Sequence, residues 1–138
     1  MALQWREQLS VGNDLIDSDH RQLIEIINLA DSSLQKMNFP ELTKALEQLS
    51  KYARLHFERE EKIAAAAKYP GSEHLHKSHG TLLQGLDVVA QEIGSDWNAA
   101  AAEHFGKFLR EWLVNHVIKE DMLMKPWLQK LSPRFEPR

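Results

Sequence analysis

The sequence predicts an all-α protein, an up-down-up-down four-helix bundle with a short N-terminal arm. Three observations carry that expectation. Apolar residues recur at steps of three and four almost everywhere after residue 17, the spacing of a helix and not of a strand. Three short clusters of helix-breaking residues divide this pattern into four stretches. At 138 residues the chain is long enough to bury one core and is one domain by length.

The first helix is expected over residues 18–37. His20, Leu23, Ile27, Ala30 and Leu34 form its apolar seam, which His20 extends by one turn. Asn38-Phe39-Pro40 breaks the pattern, and Pro40 suits the first turn of a second helix over 40–67. There Leu42, Ala45, Leu49, Tyr52, His56, Glu60 and Ile63 share a stripe that runs into the helix-forming Ala64 to Ala67. Tyr69-Pro70-Gly71 ends it, and Ser72 is placed to cap a third helix over 73–93, whose His79, Leu82, Leu86, Val89 and Ile93 share a face. Gly94-Ser95-Asp96 supplies a stop, a turn and a new cap. The fourth helix, 97–130, has Phe105, Phe108, Leu109, Trp112, His116 and Leu123 in its periodic set. Residues 1–131 are read as the domain and 132–138, with two prolines, as an irregular tail.

Composition narrows the chemistry. A net charge of −3 gives no large basic field, so neither nucleic acid nor a polybasic membrane contact is expected. No apolar run reaches transmembrane length and the first ten residues hold no apolar leader, so the expected compartment is the cytoplasm. There are no cysteines, which leaves nitrogen and oxygen as the only metal donors.

Such donors recur on the inner stripe of all four helices. They are His20, the pair His56 and Glu60, the pair His76 and His79, and the pair His116 and Asp121. Singly, each has a plain alternative as a core or surface residue. His116 and Asp121, five apart, point about 140° from each other on a regular helix. In an antiparallel bundle, however, His20, His56, His79 and His116 come to similar heights, and a buried carboxylate such as Glu60 is costly unless paired or bound to a cation. Imidazole and carboxylate together suit iron, manganese or zinc.

From Trp5 to about Leu128 the chain resembles the hemerythrins, specifically the single-domain bacterial ones. Trp5, Val11, Gly12, Asp17 and His20 match the family's opening W-x5-V-G-x4-D-x-x-H. Tyr52, His56, Phe57, Glu60 and Glu61 match Y-x3-H-F-x2-E-E. Tyr69-Pro70 follows, and Trp112, Leu113, His116 and Asp121 match W-L-x2-H-x4-D. The resemblance implies a hemerythrin-like bundle holding two non-haem iron ions with carboxylate and oxo or hydroxo bridges. It implies that Glu60 and Asp121 bridge the irons, that His20 and His56 hold one, and that His79, His116 and a further His hold the other. It also implies reversible O₂ binding without catalysis, for storage, delivery or sensing, in a pocket made by Leu23, Phe57, Trp112, Leu113 and Val117. The competing expectation is a diiron enzyme reacting with O₂, peroxide or NO, or an iron-donating repair protein.

One ligand departs from the family pattern, which has His where this chain has Leu75. His74 and His76 flank it. On a regular helix His76 lies within about 60° of His79 and His74 about 140° away, so His76 is the expected ligand. His74, or no protein ligand at all, remains open. A second departure is Ala64, where the family often carries Met. His104 falls off the inner stripe and is expected in solvent.

Overall fold

A computed structural model describes residues 2–92 and 98–137. The expected ends at Ile93, Gly94-Ser95-Asp96 and Trp97 lie outside the described residues. The chain forms an all-α four-helix bundle. Helix α1 is Asp14–Gln35, α2 is Phe39–Ala66, α3 is Ser72–Glu92, and the fourth begins with α4, Ala99–Glu111. It continues through a π-helical segment, Trp112–Ile118, a short helical turn at Lys119–Asp121, a 3₁₀ turn at Met122–Met124 and a last turn at Lys125–Leu128. Helix α1 packs on α2 and α4, α2 packs on α3, and the π segment touches both α1 and α3.

Helix α1 starts four residues earlier than expected, because Asn13 caps it by accepting from the backbone N–H groups of Leu15 and Ile16. Asn38 and Asn98 do the same for α2 and α4, accepting from the N–H groups of Glu41 and Ala101. Ser72 is not the cap expected of it: its hydroxyl donates to the Tyr69 carbonyl at 2.8 Å. The arm is tied down at both ends. Leu3 and Asn28 exchange two hydrogen bonds, and Asp17 accepts from Val11 N–H and the Ser10 hydroxyl. Gly12, at φ +83°, makes the turn between them in a conformation few side chains adopt. The tail folds back onto α1, where Asp14 N–H donates to the Pro133 carbonyl and the Asn13 amide to that of Phe135.

The interior is two apolar regions separated by a polar layer. The larger region holds Leu23, Ile27, Leu49, Phe57, Leu109, Leu113 and Val117. The smaller holds Val11, Ile16, Ile63, Ala64, Leu75, Met124 and Leu128. On every helix the layer between them falls on a ligand-type residue: His20 between Ile16 and Leu23, Glu60 between Phe57 and Ile63, His79 beyond Leu75, and Asp121 between Ile118 and Met124. No described helix is long and apolar enough to cross a membrane.

Candidate metal centre

His20, His56, Glu60 and Asp121 are fully buried, and each offers one ligand atom within 4.8 Å of the others. Helix α1 supplies His20 and α2 supplies His56 and Glu60, one turn apart on a common face. His20 Nε2 lies 2.7 Å from Asp121 Oδ2, His56 Nε2 lies 2.8 Å from Glu60 Oε2, and His56 Nε2 lies 3.5 Å from Asp121 Oδ2. His79, also buried, places Nε2 3.0 Å from the other Glu60 oxygen, Oε1.

Two carboxyls so placed cannot both ionise freely. Burial together with the charge of Asp121 pushes Glu60 up to about 7, against the pull of His56. Burial acts on Asp121 in the same direction, yet hydrogen bonds from Glu60, His20 and His56 hold it well below the usual carboxylate range. Burial pushes His20 down despite Asp121. For His56 burial is overcome by the charge of Glu60 and by bonds to Asp121, Asp19 and Glu60, leaving it well above the ordinary imidazole range. His79 is raised too: burial lowers it, but the hydrogen bond and charge of Glu60, with Glu61 and Asp121, together outweigh that.

The donor set fits a cation better than it fits itself. His20 Nδ1 and Asp121 Oδ1 are buried with no hydrogen-bond partner among the described residues, and His56 Nε2 and Glu60 Oε2 are buried against each other at 2.8 Å. Buried polar atoms left this way are costly, and lone pairs converging from both residue types are what a borderline cation takes up.

Around His56 a support network is complete. Asp19 accepts from His56 Nδ1 at 3.0 Å, and from Tyr52 and Arg59 at 2.8 Å each, so His56 presents Nε2 inward. Periodicity places Tyr52 on the stripe but singles out neither of its companions in this support, Asp19 and Arg59. The signal in the sequence was Tyr52 in the motif one turn before His56, and an acid directly beside His20.

On the other side the structure departs from expectation. His76 is not an inward ligand: its side chain is 74% exposed and its Nδ1 contacts Glu61, while His74 is equally outward beside Glu120. The inward place one turn before His79 belongs to Leu75, which is 1% exposed and packs with Ile16, Ile63 and Met124. His79 and Leu75 are four apart and share the face; a residue three before His79 falls off its edge here.

His116 is not brought into the cluster either; it is exposed. The cause is the π segment, which adds one residue to a turn and slips the helical phase. Before it the inward residues are Phe105, Leu109 and Trp112, a phase that would continue to His116 and Leu123. After it they are Val117, Asp121 and Met124, while Leu123 stands 58% exposed. The same slip that carries His116 out carries Asp121 in.

The five apolar pocket positions are all buried: Leu23, Phe57, Trp112, Leu113 and Val117 are at most 2% exposed. The Phe57 ring stacks on His79 at 3.9 Å between centroids, and Trp112 Nε1–H donates to the Leu82 carbonyl. His104 is exposed, and Ala64 is buried in the smaller core.

Comparison with known proteins bears on this cluster. A family model described as the hemerythrin HHE cation binding domain matches residues 11–128. The bacteriohemerythrin of Pseudomonas paraeruginosa is 27% identical over 121 residues, 86% of this chain and 76% of that protein. The bacteriohemerythrin of Ralstonia nicotianae is 26% identical over 133 residues, covering 96% of this chain and 93% of its own. A hemerythrin-like protein of Naegleria fowleri is 26% identical, with 88% and 89% covered. A crystal structure of a leucine-to-phenylalanine mutant superposes with a TM-score of 0.77 at 24% identity, covering 93% of this chain and 98% of that one; it speaks for the fold alone.

Proposed function

The chain belongs to the hemerythrin family, and from that premise we propose that it is a non-haem diiron protein that binds O₂ reversibly, for storage, delivery or sensing, without catalysing a reaction. The observation that carries this is the buried layer of His20, His56, Glu60 and Asp121, whose ligand atoms converge within 4.8 Å of one another beneath an apolar cap.

His20 and His56 would hold one iron, with Glu60 and Asp121 shared between the two. His79 would hold the other, and His116, one step out of phase beside inward-facing Val117, is the further imidazole the fourth helix offers. Bound ferrous iron supplies the electrons and the open position that O₂ requires. The rest falls to the chain. Leu23, Phe57, Trp112, Leu113 and Val117 exclude water and bring no ionisable group, so nothing in the cap can deliver a proton. Without metal, burial and the charge of Asp121 raise Glu60 to about 7, so it holds a proton that a bound cation would displace.

One observation favours the second reading, a diiron enzyme reacting with O₂, peroxide or NO. Leu75 leaves α3 with a single inward imidazole, and an incompletely liganded iron has more than one open position. An anaerobic optical titration separates the two. The iron-loaded, reduced protein should gain a visible absorption band when O₂ is admitted and lose it under argon. Immediate, irreversible conversion to a ferric spectrum would overturn the carrier reading in favour of the enzyme.

A further inference from the structure

Resting on the reading that His79 holds iron through Nε2, we infer that Glu61 is a positioning residue that orients His79, and that His76 braces Glu61 from the solvent side. His79 is gripped at both edges: Nε2 lies 3.0 Å from Glu60 Oε1, and Nδ1 lies 3.0 Å from Glu61 Oε2. The other Glu61 oxygen contacts His76 Nδ1. An imidazole that donates Nδ1–H to a carboxylate has its Nε2 lone pair free and its ring plane fixed, which is what a metal requires of it. Phe57, stacked on the ring at 7° to its plane, fixes the remaining freedom.

The line His76, Glu61, His79 runs from solvent inward, with side-chain exposures of 74%, 28% and 4%. It lies along a cleft of about 340 Å³ between α2 and α3, lined by Phe57, Glu61, His76, His79 and Gly80. Because Leu75 occupies the inward position one turn away, His79 is the one inward imidazole among the described residues of α3. Its orientation therefore decides what α3 contributes. The His76 that spacing offered as a ligand acts one shell further out, and the carboxylate between the two imidazoles makes that arrangement possible. His56 has the corresponding support from Asp19.

The test is a cobalt(II) titration of the metal-free full chain. His79→Ala identifies the binding step that depends on α3. Glu61→Ala should weaken that step ten- to a hundredfold and leave the other unchanged. Glu61→Gln, which keeps an acceptor oxygen, should recover part of the loss, and His76→Ala should cost less than Glu61→Ala. The cobalt(II) protein should also show an exchangeable, hyperfine-shifted imidazole N–H resonance that is absent in His79→Ala. That signal should broaden by faster exchange in Glu61→Ala and return in Glu61→Gln, which a loss of general packing would not produce. An unchanged resonance and affinity in Glu61→Ala would overturn the inference while leaving the metal centre standing. A wild-type chain that takes up no cobalt at all would overturn the metal centre and this inference together.

Discussion

The two halves of the polar layer differ in how completely they are built. On the α1/α2 side, two imidazoles sit wholly buried and His56 is backed by Asp19, Tyr52 and Arg59. On the α3/fourth-helix side, one imidazole points inward, a leucine takes the neighbouring place and His116 lies outside. The same bundle geometry serves both. The difference arises from one side chain at position 75 and one extra residue in a turn. A helical scaffold fixes which positions face the layer, and the ligand count then follows from what those positions carry.

The largest effect should come from removing what the halves share. Glu60 reaches His56 with one oxygen and His79 with the other. Glu60→Ala should therefore abolish binding of a metal pair, measured as metal per chain after loading and desalting. Retention of two metals per chain would show that the halves do not depend on a common bridge.

The contrast between halves can be broken by adding the missing donor. Leu75→His places an imidazole on the inward face one turn before His79, so it should tighten the weaker of two cobalt(II) steps by at least about tenfold. Without metal the same change buries a polar ring among Ile16, Ile63 and Met124, which should cost about 1–3 kcal/mol in denaturant unfolding. A variant as stable as wild type but no better at binding would place position 75 away from the metal.

Proton competition acts on the shared bridge. In the metal-free fold Glu60 is raised to about 7, above its unfolded value, so it keeps a proton that the unfolded chain has released. Its contribution to the stability of the metal-free fold is thus present at low pH and is lost as pH rises towards about 7. A cation must displace that proton, so affinity runs the opposite way. Cobalt(II) binding should weaken by about tenfold or more for each pH unit below about 7 and change less steeply above it. His56 and His79, also raised, steepen the fall. A pH-independent affinity across that range would mean that Glu60 is not displaced from a proton on binding.

Much of this was legible before the structure. The helices followed from apolar steps of three and four, and their breaks from Asn38-Phe39-Pro40 and Tyr69-Pro70-Gly71, because these are local properties of short segments. The set His20, His56, Glu60 and His79 was legible for the same reason, each lying in phase with its own apolar stripe. Asp121 was not in phase with Trp112, because a π turn shifts everything after it. No residue type marks such a turn. The choice of His76, over His74 or no protein ligand, failed on a finer point. Angular nearness to His79 favoured both sides of the ring position, and only packing against Ile63 and Met124 decides which residue turns in. The supports Asp19 and Glu61 were visible as acids beside ligand-type residues, yet their partners come from other helices, which spacing within one helix cannot show.

The finest test of the comparison is His116→Ala. It should lower the weaker cobalt(II) step by about tenfold, as expected for one imidazole donor, and leave the stronger step and the unfolding midpoint unchanged, since an exposed side chain holds little of the fold. The argument rests on the π segment. His116 precedes the inward-facing Val117 by one residue, within a wide turn that departs from regular α-helical geometry. A metal bound at His79 would favour the arrangement in which a second imidazole faces it, by as much as that contact is worth. If His116→Ala changes neither step, the turn keeps His116 in solvent even when metal is bound. The α3 side would then be a half-site, held by His79 and the shared carboxylates.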